Sequence, residues 1–148
     1  MLFPTLSPSA RATIVSFVVF ALLPVLGLLR AETPREAVDR VWDGFMHLDP
    51  NRGSNNFPRE FWKLSKAVAR EQGVAVLPPI MARARDWKDE EVLIFVPLVD
   101  LLPREQATKV LNYYKNKGKP WERQAADDFL SEFDMSDTKE AVKEARQL

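Results

Sequence analysis

The 148-residue chain has no cysteine, a single histidine and only five glycines. Without cysteine it forms no disulfide, builds no thiolate metal site, attaches no haem covalently and offers no thiol nucleophile. One histidine, His47, cannot anchor a recognisable zinc site, and no Ser-His-Asp arrangement can be assigned. At the end of a helix, His47 reads as a capping or surface residue favoured by the negative end of the helix dipole. The glycines form neither a phosphate-binding loop nor a nucleophile elbow. An excess of one charge is missing too: 21 basic residues face 21 acidic ones. No long block of one sign occurs, so the positive field that nucleic-acid binding needs is absent. Nothing in the composition implies a cofactor.

Long apolar runs are also scarce, with one exception. Residues 13–29 are uncharged and apolar, with Arg11 before them and Arg30-Ala31-Glu32 after. That pattern reads as an export signal, and Pro24 and Gly27 suit its approach to a cleavage site. Leu29-Arg30-Ala31 departs from the small-x-small pattern, and the run is close to the ~18 residues at which a spanning helix becomes plausible. The alternative is an uncleaved N-terminal anchor that tethers the chain to a membrane through residues 13–29. The expected organisation is therefore a signal or anchor over 1–31 and a single all-helical domain over 32–148, periplasmic, extracellular or membrane-anchored. Setting aside Arg11 and Arg30 leaves 19 basic and 21 acidic residues, a formal charge of −2. A cysteine-free exported domain of this size is held by its core alone, which favours compact helix packing.

Helix signals are dense and strand signals nearly absent. Thr33-Pro34-Arg35-Glu36 combines a capping box with proline at the first helical position. Val38, Val41, Trp42, Phe45 and Met46 then recur at three- and four-residue spacing, predicting a first helix to about Leu48. Asp49 to Asn56 has loop chemistry. A second helix opens at Pro58, turns Phe61, Trp62, Leu64, Ser65 and Val68 inward and stops at Gly73. The third spans Val74 to Arg85, with Pro78-Pro79 inside it. The fourth runs from Glu90, capped by Asp89, to about Leu102; its Val92–Val96 core also fits a buried strand, and Pro97 should kink it. The fifth opens at Pro103 and ends at Gly118, the sixth runs from Pro120 through Phe133, and Asp137 caps a seventh. Pro-Arg-Glu recurs at 34, 58 and 103, as any helix start favours.

A better repeat unit is a helix pair of about thirty residues, joining helices three and four and then five and six. Leu77-Pro78-Pro79-Ile80-Met81 with Asp86, and Glu122-Arg123-Gln124-Ala125-Ala126-Asp127-Asp128-Phe129-Leu130, resemble the two halves of a HEAT-like repeat over about residues 57–148. The resemblance implies stacked antiparallel helix hairpins, a short HEAT-like α-solenoid, and a concave face for a protein partner. It departs from the family where Leu93 replaces the helix Arg and Lys117-Gly118 the turn Asp. An irregular helical bundle is the alternative architecture.

Three constellations bear on chemistry. Asp49, Asn51, Gly53, Asn55 and Glu60 fall at positions 1, 3, 5, 7 and 12 of a helix–loop–helix segment, the spacing of a calcium loop. Gly53 lacks a side-chain ligand there, and Ser54 replaces the turn glycine. Carboxylate neighbours Asp89, Glu90, Glu91, Asp127 and Asp128 invite a hydrolase reading, but adjacent residues on a helix diverge. Aromatics remain. Trp42 and Trp62 lie on apolar stripes and belong to a core. Trp87 sits in a charged turn, and Tyr113 and Tyr114 point to different sides, so these three are the expected binding residues. The reading is a non-catalytic, exported protein-interaction or scaffold module of the cell envelope. The alternatives are a small envelope hydrolase using helix-borne carboxylates, or a calcium-binding helix–loop–helix protein.

Overall fold

At Thr33 the side chain accepts a hydrogen bond from the Glu36 N–H, while the Glu36 carboxylate accepts from the Thr33 N–H at 2.7 Å. This reciprocal box satisfies two of the free N–H groups that any helix start leaves. It opens α1, Pro34–His47. The structure, a computed structural model, describes residues 30–48, 57–86, 92–136 and 139–148. Thr33–Leu148 folds as one compact unit, and the expected signal or anchor over 13–29 lies outside the described residues.

Along the chain follow α2 (Arg59–Gln72), α3 (Leu77–Arg83), α4 (Val96–Asp100), α5 (Arg104–Lys117), α6 (Pro120–Ser136) and α7 (Glu140–Gln147). There is no strand among the described residues. The all-α class expected from the sequence is thus borne out.

Glycine and proline set the joints. Gly73 closes α2 at φ +55°, a left-handed backbone that residues with a Cβ resist. A 3-10 turn, Gly73–Val76, then feeds α3. Pro78 and Pro79 fall in the first turn of α3, where their missing N–H groups would find no helical partner anyway. Pro97 behaves alike, which corrects the expected kink. Val92–Phe95 is a 3-10 turn, and Pro97 lies in the opening turn of α4 instead of bending a continuous helix. The strand alternative for Val92–Val96 falls with it. Asp89 and Asp137, the expected caps of helices four and seven, lie outside the described residues.

Two antiparallel hairpins frame the unit. In α1–α2, Arg40 pairs with Glu71 at 3.4 Å, and Phe45 packs edge-on to Phe61 at 5.7 Å. In α5–α6, Lys115 pairs with Asp127 at 2.6 Å near the turn, and Arg104 donates to Ser136 Oγ at 2.6 Å at the far end. The third and fourth helices do not pair chiefly with each other, unlike the expected repeat unit. α3 packs on α1 and α6, α4 on α2 and α6.

Phe61, Phe95, Phe129, Leu77, Ile80 and Leu98 meet in the shared core, essentially without solvent contact. Each such side chain stabilises the fold by roughly 1.5–3 kcal/mol through apolar burial. Trp42 is half-buried and stacks on Phe95 at 6.3 Å. Trp62 is buried with Val142 and Ala145 of α7, which docks on α2 through this smaller cluster. Both tryptophans therefore pack inward as their periodicity indicated.

Candidate functional site

The α5–α6 hairpin end brings together Tyr113, Tyr114, Trp121 and the cations Lys119 and Arg85. α5 ends at Gly118, whose N–H donates to the Tyr114 carbonyl at 2.8 Å. A Cβ on Gly118 would run into that carbonyl and come within 2.9 Å of Glu122 Cβ. This glycine is required by close approach, not by its φ of −73°. Past it, the Lys119 N–H donates to the Glu122 carboxylate at 2.7 Å, and Arg123 Nε donates to the Gly118 carbonyl at 2.7 Å. Two side chains and one backbone bond thus fix the backbone of a two-residue connection.

Near the end of α5, ahead of this turn, Tyr113 is 64% exposed, a large value for an aromatic residue. Tyr114 is half-buried, and its ring meets that of Tyr113 edge-on at 5.8 Å. Burial, then the nearby Glu122 carboxylate and Tyr113, push the Tyr114 phenol above its usual range. It stays a neutral hydroxyl able to donate and accept. Trp121 is flanked by two cations, Lys119 with Nζ 5.2 Å from the ring centroid and Arg85 at 5.8 Å. Cation–π attraction holds both charges beside the indole. Tyr, Trp and Arg on a preorganised turn are the residue types that anchor protein interfaces.

Of the expected binding residues, Tyr113 and Tyr114 are therefore side by side, one open and one partly buried. Trp87 lies outside the described residues. Sequence reasoning missed Trp121, Arg85 and Lys119 as members of this surface. Only the fold brings Arg85 to Trp121, across thirty-six positions of chain.

The proposed cation loop meets the structure at one residue. Glu60 is an exposed first-turn residue of α2, while Asp49, Asn51, Gly53 and Asn55 lie outside the described residues. Among the described residues no group of three or more His, Cys, Asp or Glu side chains is placed to hold a metal. His47 Nδ1 donates to the Asp43 carbonyl at 2.6 Å, a helix-end contact. Asp127 pairs with Lys115, and Asp128 accepts from Gln124 at 3.0 Å, so that carboxylate pair diverges as helical geometry requires. Asp89, Glu90 and Glu91 lie outside the described residues.

Among the described residues the carboxyl with a resolved shift is one that the sequence does not single out. Asp100, at the end of α4, is 2% exposed, and its Oδ2 has no hydrogen-bond partner. Burial drives its pKa from 3.8 up to about 6, against the pull of Lys139, Arg104 and Arg146 and with a push from Glu132. Lys139 is itself engaged by Glu132 at 2.5 Å, and the Arg104 guanidinium lies over the Phe133 ring at 3.8 Å. Such a pKa is what a general acid needs, but this carboxyl is sealed from substrate. No family model, no curated protein and no solved structure matches this chain.

Proposed function

We propose that this chain is a non-catalytic protein-interaction module whose binding surface is the α5–α6 turn. The observation that carries the reading is Tyr113, held 64% exposed beside Tyr114 on the helical backbone of α5, next to a connection fixed by Glu122 and Arg123. An exposed aromatic on a rigid element binds at low entropic cost, because little ordering remains to be done on association. Trp121 between Lys119 and Arg85 extends the surface and gives it a positive rim. A partner suited to it offers an apolar pocket for the tyrosine ring, with acidic groups around it.

The apolar run 13–29 supports placing this module outside the cytoplasm, free or tethered. Crosslinked purification of the tagged full-length chain from its source cells tests both parts, with intact-mass analysis of the bait. A bait that begins near Glu32, with one stoichiometric protein partner, is the expected result. An uncut bait replaces export by tethering. A bait that captures no reproducible protein refutes the interaction role.

A further inference from the structure

We propose that the outer face of α2 is a second, separate binding surface that takes an acidic polypeptide segment. Arg59, Lys63, Lys66 and Arg70 recur at intervals of four, three and four residues. At about 100° per residue they fall within an arc of roughly 60°, and at 1.5 Å rise per residue they span about 16 Å. The acidic residues of the same helix lie off this line. Glu71 is turned toward α1, where it pairs with Arg40, and Glu60 sits to the same side of the stripe as Glu71 by the helical rotation.

None of these four cations pairs with a described carboxylate, whereas Arg83 pairs with Asp39, Lys109 with Glu105, Lys115 with Asp127 and Lys139 with Glu132. Among the described residues Arg59, Lys63 and Arg70 make no ion pair, and Lys66 donates only to the Arg146 carbonyl at 3.0 Å. A solvated charged face is usually mixed in sign and laced with pairs at four-residue spacing. This one is unmixed, in a domain whose formal charge is −2.

Shape adds a second observation. Lys63, Lys66 and Arg70 line a half-open pocket of about 230 Å³ whose apolar walls are Ala67 and Leu148. A flat anionic surface would meet the cations and leave this pocket unused. A polypeptide can lay carboxylates along the stripe and set one apolar side chain between Ala67 and Leu148. Complementary charge would govern its association rate and make binding sensitive to salt. The inference does not depend on the role of the α5–α6 turn, which lies on other helices.

The test uses the full-length chain and a fluorescein-labelled peptide of repeated Glu-Glu-Leu, with a Gln-Gln-Leu peptide as control, followed by anisotropy at low and moderate salt. Binding of the acidic peptide only, weakened about tenfold or more in Lys63→Gln/Arg70→Gln, is the expected result. That variant leaves Lys66 and its contact with α7 in place. Lys109→Gln/Lys117→Gln on α5 should bind as the unaltered protein does. Equal binding by the α2 variant, equal loss in the α5 variant, or no binding of the acidic peptide overturns the proposal. Binding to phosphatidylglycerol vesicles without binding to the peptide also overturns it, in favour of a membrane-facing stripe.

Discussion

Replacing Asp100 by asparagine removes a charge from the least hydrated carboxyl described in this protein while keeping its volume. The native pKa of about 6, against 3.8 for the unperturbed group, makes ionised Asp100 a liability above neutrality. Because the folded state binds this proton more tightly than the unfolded chain, stability falls as pH rises from about 4 to above 6. Two pKa units at 1.36 kcal/mol each give a penalty of about 3 kcal/mol at pH 7.5, about half of it present by pH 5. The amide pays no ionisation penalty, although each of its two N–H groups left without a partner in this buried site costs roughly 1–3 kcal/mol. That second effect does not vary with pH. Urea unfolding of both proteins at pH 4, 5, 6 and 7.5 separates the two. The stability of Asp100→Asn relative to the unaltered protein should improve by about 2.5 kcal/mol between pH 4 and pH 7.5, because a small part of the penalty is already present at pH 4. A difference that stays flat across this range would refute the reasoning, whatever its sign.

Further predictions concern single side chains. Ser65 is fully buried on α2, and its Oγ has no hydrogen-bond partner, so Ser65→Ala should raise stability by about 1 kcal/mol in the same unfolding assay. Gly73→Ala places a Cβ at φ +55° and should destabilise by about 1–3 kcal/mol, lowering the melting temperature. Phe129→Ala empties a site 1% exposed at the centre of the core and should destabilise by about 3–5 kcal/mol, enough to threaten folding in a domain of ordinary stability. Gly118→Ala drives a Cβ against the Tyr114 carbonyl and Glu122; it should broaden or shift the amide resonances of the α5–α6 turn while leaving those of α1 unchanged.

Much of the fold was legible because its signals are local. The capping box at Thr33, the stop at Gly73 and the apolar stripes of α1 and α2 each involve residues within a turn or two of one another. Pro97 was misread for an instructive reason. A proline bends a helix only if the helix is already running when it arrives, and the sequence does not mark the 3-10 turn that precedes α4. The pairing of helices was harder still. α3 and α4 are adjacent in the chain, yet each finds its main partners elsewhere, a choice made by long-range packing.

The proposed surfaces divide along the same line. Tyr113 and Tyr114 were visible as exposed-aromatic candidates because consecutive residues on one helix face different ways. Arg85 beside Trp121 was not, since it depends on α6 meeting the segment after α3. Asp100 did leave a trace: it is the only charge from Val92 to Pro103. An acid inside such an apolar stretch is carried into the interior by its neighbours. The stripe on α2 was present in the spacing of Arg59, Lys63, Lys66 and Arg70. Its lack of carboxylate partners became visible only once the ion pairs were placed.

The central claim, that the α5–α6 turn engages a protein, is tested most directly by site-specific photocrosslinking in the source cells. A photoreactive phenylalanine analogue replaces Tyr113 in one strain and the exposed Arg35 of α1 in another. The account predicts one discrete protein adduct from position 113, absent from position 35, and lost when Trp121→Ala is added. Adducts of equal yield from both positions, or none from position 113, would contradict it.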